Sequence, residues 1–174
     1  MLTICRAWLY VAPAGPAMSG GELALRLFGA FRDLVDEVHS ELARRGHPDV
    51  RPVHGFALQA VGAGGATAGE LGARLGVSKQ AAGKTVDGLV GQGYVARAVD
   101  PADARRKIVT LTARGRELLD LSGTIFERLR HERAERIGTE RWRELEAALR
   151  LLTASGPGPL NAHGWWAAPD AGHR

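Results

Sequence analysis

Eight basic side chains stand between Gly65 and Gly115: Arg74, Lys79, Lys84, Arg97, Arg105, Arg106, Lys107 and Arg114. Four acids share that stretch, Glu70, Asp87, Asp100 and Asp103, whereas the rest of the 174-residue chain holds 15 bases and 15 acids. The whole net charge of +4 therefore sits in the middle third. A local excess of fixed cations between neutral flanks attracts a polyanion. A solvated arginine-rich face gives the same count, so the meaning of the charge depends on the elements that carry it.

Catalytic chemistry finds no comparable constellation. Gly62-Ala63-Gly64-Gly65-Ala66-Thr67 lacks the Lys of a phosphate loop, and Thr67 stands where a dinucleotide fingerprint needs its third glycine. His131-Glu132 has no second histidine four residues on, and His39, His47, His54, His131, His163 and His173 show no paired-ligand spacing. His39 and His54 could approach each other in the fold, but as surface or core histidines rather than ligands. With no nucleophile beside a base, no enzyme, metal or cofactor is expected. Cys5 is the one thiol, so no internal disulfide can form, which fits a reducing cytoplasm. No basic cluster near Cys5 lowers its pKa, so redox sensing is not expected of it. The chain has no apolar run of 18 residues, so no membrane span is expected.

The elements that must position the bases can be read from caps and spacing. Thr67 and Glu70 form a capping box that opens a helix through Leu75, and Gly76 closes it. Ser78 caps a second helix running to about Gln92, with Gly93 as its stop. Two short helices joined by a tight Gly turn make a helix-turn-helix. On the second helix, Ala82, Val86, Leu89 and Val90 are expected to face the core. Gln80, Lys84 and Asp87 face the other way, with Ser78, Lys79 and Thr85 at the first turn and flank. Gln suits adenine edges, Lys suits guanine edges or phosphates, and Ser and Thr suit either. Gly83 beside this face leaves room for close approach, or is merely tolerated.

Tyr94–Val99 and Ile108–Thr112 read as strands, with Asp100-Pro101 starting the turn between them. The hairpin tip, with Asp103, Arg105, Arg106 and Lys107, then forms a wing directly after the helix-turn-helix. Arginine suits a narrow minor groove, where negative potential is focused. Asp103 is expected to orient an arginine, and a salt-bridged tip is compatible with DNA contact.

Around this unit lie longer helices. Ser19 and Glu22 form a capping box, after which Leu23, Leu27, Phe31, Leu34, Val38 and Leu42 make one apolar stripe to Arg45, ended by Gly46 and Pro48. A short helix from Pro52 to about Val61 follows. Leu118, Ser122, Ile125, Phe126 and Leu129 mark a helix from Ala113 to Ile137, and Trp142, Leu145, Leu149 and Leu152 mark a last one. The reader alone buries a small core, so these stripes point to a core shared between two chains. Phe28, Phe31, His54 and Phe56 could line a ligand pocket, but aromatics at helical spacing are more often plain core.

The segment Asp100-Pro-Ala-Asp103-Ala-Arg105-Arg-Lys-Ile-Val109-Thr-Leu111-Thr112-Ala-Arg-Gly115 resembles the wing signature of MarR-type transcriptional regulators, D-x-x-D-x-R-x-x-x-V-x-L-T-x-x-G. Gly69 to Gln80 is similar to that family's two-helix reader, and the likeness spans about Leu23 to Thr153. It implies a mainly α (α+β) fold, a winged helix-turn-helix with a two-stranded wing and long flanking dimerisation helices. It also implies a homodimer, a recognition helix in the major groove, and Arg105 in the minor groove steadied by Asp103. The implied activity is a cytoplasmic repressor that binds a pseudo-palindromic operator in double-stranded DNA and is released by a small aromatic ligand. The DNA-binding set is thus Ser78, Lys79, Gln80, Lys84, Thr85, Asp103, Arg105, Arg106 and Lys107. The alternative is an architectural winged helix that binds DNA without sequence choice.

The expected boundaries are a weakly ordered extension over 1–18, the winged-helix domain over 19–155 and a flexible tail over 156–174. Within the domain, the reader covers about 62–115 and the dimerisation helices about 19–45 and 113–154. Met18, just before the first capping box, is the expected natural start of translation. Trp165 and Trp166 stand out in the tail with no assigned partner.

Overall fold

The computed structural model describes residues 18–100 and 103–152, with the backbone path alone for 103–105. The extension with Cys5, the Pro101–Ala102 turn and the tail with Trp165 and Trp166 lie outside the described residues. The order is α1 (Gly20–Arg44), α2 (Pro52–Val61), α3 (Ala68–Leu75), α4 (Lys79–Gly91), β1 (Val95–Asp100), β2 (Asp103–Leu111), α5 (Ala113–Ile137) and α6 (Thr139–Leu152). It is the expected mainly helical winged helix with a two-stranded wing. The chain forms two compact units, divided between Asp33 and Leu34.

In the first unit the Ser19 half of the expected capping box forms, while the Glu22 carboxylate turns to Arg26. The Glu22 amide donates to Ser19 Oγ at 3.1 Å, and Arg26 one turn on donates to the Glu22 carboxylate at 2.9 Å. Leu23, Leu27, Phe28 and Phe31 are exposed on this part of α1.

The second unit has one apolar core. Val38 and Leu42 of α1 join Leu58 and Val61 of α2, Leu71 of α3, Val86 and Leu89 of α4, Val109 of β2, and Leu118, Ile125 and Leu129 of α5. The α1 stripe therefore divides: Leu34, Val38 and Leu42 pack, while Leu23, Leu27 and Phe31 are exposed in the single chain. Arg133 of α5 reaches Glu37 of α1 at 2.9 Å.

Local chemistry places the reader helices. At α3 the Thr67 amide donates to Glu70 Oε2 at 2.7 Å and the Glu70 amide to Thr67 Oγ1 at 3.2 Å. The turn that follows is too close for a side chain at Gly72. A Cβ there would lie 2.9 Å from the Val77 carbonyl oxygen, while the Val77 amide donates to the Gly72 carbonyl at 2.9 Å. Ser78 then accepts from the Ala81 amide at 3.1 Å and starts α4. One expectation fails on this helix, because Val90 is 37% exposed. At about 100° per residue, Ala82, Val86 and Leu89 span a narrow arc and Val90 falls at its edge.

The strands also run further than expected. Val95↔Leu111 through Val99↔Lys107 pair in antiparallel register, and after a shift Asp100 pairs with Asp103. Arg105, Arg106 and Lys107 thus lie on β2 itself rather than in a tip loop, because the ladder continues past Ile108. Ala66, just before α3, adds a bridge to Val109, with N···O distances of 3.0 and 2.8 Å. α6 buries none of its side chains in the single chain.

Candidate nucleic-acid interface

A groove of about 630 Å³ opens between the start of α3, the first turns of α4 and the wing. Thr67, Ala68 and Gly69 form one wall, Lys79 and Val86 another, and Arg97, Arg106, Lys107 and Val109 the third. Its position follows from the caps: the α3 box holds Thr67 at the mouth, the Ser78 cap sets Lys79 beside it, and the ladder puts Lys107 opposite Val99. Four cations on three elements thus converge on one concave surface.

The expected residues divide among roles. Lys79 and Lys107 line the groove, and Gln80 and Lys84 are exposed on α4. The Ser78 hydroxyl serves the helix cap, and Thr85 is half-buried with its hydroxyl donating to the Ala81 carbonyl at 3.3 Å. Arg106 is shared between two acids, Glu70 at 3.1 Å and Asp100 at 3.6 Å. Asp103 and Arg105 are placed by backbone only; their side chains lie outside the described residues.

Arg97 was missing from the sequence-derived set, yet it lines the groove and donates to Asp87 of α4 at 2.5 Å. Strand alternation alone could have suggested it, since Arg97 pairs with Val109. The Glu70 carboxyl is held below its ordinary value of 4.5 by the Thr67 amide first and the Thr67 hydroxyl second, with Arg106 and Arg74 adding to the effect.

Away from this face, a small apolar cavity of about 50 Å³ lies between α1, α2 and α5. Val38, Leu42, Val50, Phe56, Leu119 and Phe126 are among its walls, with His39, Gln59 and Ser122 as polar members. Of the four candidate liners, Phe56 is there; His54 is buried within α2. No group of three or more His, Cys, Asp or Glu able to hold a metal occurs among the described residues, and none of their helices is long and apolar enough to cross a membrane.

Residues 49–106 match the sequence model of the MarR family. Over this segment, a third of the chain, the sequence is similar to that family. The match covers α2, the reader and the first part of the wing, and with them every groove-lining residue but Lys107 and Val109. An uncharacterized HTH-type transcriptional regulator, YcgE of Bacillus subtilis, is 50% identical over 66 residues, 37% of this chain and 43% of the relative. The chain thus aligns with less than half the length of that relative. Among solved structures, RV1404 of Mycobacterium tuberculosis superposes with a TM-score of 0.66 at 24% identity, covering 82% of this chain and 98% of that one. FabT of Streptococcus pneumoniae, solved in complex with DNA, gives 0.68 at 16% identity over 79% and 96%. These two likenesses establish the fold, and the family likeness rests on residues 49–106.

Proposed function

We propose that this chain is a MarR-family, sequence-specific regulator of transcription that binds double-stranded DNA as a homodimeric repressor in the cytoplasm and is released by a small aromatic effector. The observation that carries the reading is the groove of Lys79, Arg97, Arg106 and Lys107 beside the open face of α4. Its shape joins a helix of major-groove width to a wing strand rich in arginine. In this reading Gln80 and Lys84 read base edges, Lys79 and Lys107 hold phosphates, and Arg105 reaches the minor groove with Asp103 steadying it. A protein of the same fold, FabT, has been solved with DNA.

The dimer reading is supported by exposed apolar side chains on the flanking helices. Phe126, Ile137, Leu145, Leu149 and Leu152 are all at least 36% exposed in the single chain. Two such chains would present recognition helices about 10 bp apart on one face of the duplex. The apolar cavity between α1, α2 and α5 suits part of an aromatic effector, with His39 and Ser122 able to orient it.

The test is a titration of the purified protein against its own upstream intergenic DNA and scrambled DNA at two salt concentrations. Tight, competitor-resistant binding at one dimer per site is expected. Equal, salt-sensitive binding to both duplexes would replace this reading with the architectural one.

A further inference from the structure

Two of the four cations in the groove are already occupied by the protein's own carboxylates. Arg97 of β1 is held by Asp87 of α4 at 2.5 Å, and Arg106 of β2 by Glu70 of α3 at 3.1 Å. Lys79 and Lys107 have no carboxylate partner among the described residues. The four paired side chains are between 43% and 62% exposed. Exposed pairs of this kind contribute little to folding. Their placement gives them another consequence. Each guanidinium in the groove wall is a potential phosphate ligand, and each carboxylate sits where a phosphate oxygen would otherwise accept.

We propose that Glu70 and Asp87 are built-in competitors for the DNA backbone: carboxylates of the two reader helices that occupy the Arg106 and Arg97 guanidiniums until phosphate displaces them. The inference rests on the DNA-binding reading above and deepens it. Binding to random sequence is driven by phosphate neutralisation. A groove whose arginines must first leave a carboxylate gains less from any passing backbone, and the carboxylate left behind repels the phosphate that replaces it. Lys79 and Lys107 make their phosphate contacts without that opposition. The protein is thereby held off bulk DNA, and the base contacts of α4 decide where it stays.

The geometry supplies clean variants. Glu70→Gln keeps the Thr67 capping box, because the box needs an acceptor and not a charge. Asp87→Asn keeps the shape of an exposed helix position. Asp100 stays beside Arg106 at 3.6 Å, so Asp87→Asn frees its arginine the more completely of the two.

The experiment is anisotropy titration of a random-sequence duplex with the full-length wild type, Glu70→Gln, Asp87→Asn and the double variant, over a series of salt concentrations. Each substitution is expected to tighten binding about two- to fivefold. The slope of log affinity against log salt should steepen by about 0.9 for each arginine released. Wild-type affinity and slope in all variants would overturn the inference and leave the DNA-binding reading standing. Weaker binding would overturn it too, making the acids positioning residues for their arginines. No binding by the wild type to random or upstream duplex would remove the DNA-binding reading, and this inference with it.

Discussion

His47 and Tyr94, 47 residues apart in sequence, share a 2.8 Å hydrogen bond between imidazole Nδ1 and phenol oxygen inside the core. Both are almost fully buried, at 3% and 2% exposure. Arg114 lies over the Tyr94 ring at 5.0 Å and donates to the Gly46 carbonyl at 2.9 Å. The end of α1, the start of β1 and the start of α5 thus meet at one phenol. Tyr94→Phe leaves a buried imidazole nitrogen without its partner, and about 1–3 kcal/mol of stability should be lost. Chemical denaturation measures this directly; an unchanged midpoint would show that the bond contributes nothing net.

Acid should destabilise the fold earlier than carboxylate titration can explain. Burial first, then the Arg114 charge, holds the His47 imidazole below its ordinary 6.5, against an opposing pull from Glu117. Burial first, then Arg51 and His39, does the same for His54. Lowered folded-state values mean that the unfolded chain binds protons first as pH falls. Stability is therefore full above about 6.5 and declines below it, by at most about 1.4 kcal/mol per pH unit for each histidine. Urea unfolding from pH 8 to 5 should give a plateau and then a fall. A rise in stability on acidification through that window would contradict the assignment.

Two glycines should respond to alanine with opposite signs. A Cβ at Gly115 would sit 2.1 Å from the Tyr94 carbonyl oxygen, a backbone atom with no rotamer to yield. Gly115→Ala should cost about 2 kcal/mol or more. At Gly83, inside α4, a Cβ meets nothing within 4 Å. Gly83→Ala should add about 0.5–1 kcal/mol through helix propensity and unfolded-state entropy. Thermal melts of the two variants alongside the wild type settle both.

Arg105→Ala should weaken binding to the upstream DNA by about 1–3 kcal/mol while leaving the melting temperature near that of the wild type. Arg105 lies on β2 between Asp103 and Lys107. Gel-shift affinity equal to the wild type would take the wing out of the reading.

How much of this was legible in the sequence depends on the reach of each interaction. The Thr67–Glu70 box and the Ser78 cap span three residues each, and local spacing is enough to read them. The reader and the candidate set on α4 followed from such signals. The groove's internal pairs did not, because Arg106 meets Glu70 across 36 residues and Arg97 meets Asp87 only when the wing folds back on α4. The buried His47–Tyr94 pair was invisible for the same reason. The second strand runs past its expected start because Lys107 pairs with Val99 and, beyond a register shift that takes in Arg105 and Arg106, Asp103 pairs with Asp100, a contact that residue types alone do not signal.

The bridge between Ala66 and Val109 carries a mechanical consequence. Two reciprocal backbone bonds stitch the segment entering α3 to the middle of β2, where Val109 also faces Arg97 across the wing. Tilting the helical reader while the strands stay put would break both bonds. The two bonds favour movement of helices and strands together, like the blade and handle of a single tool.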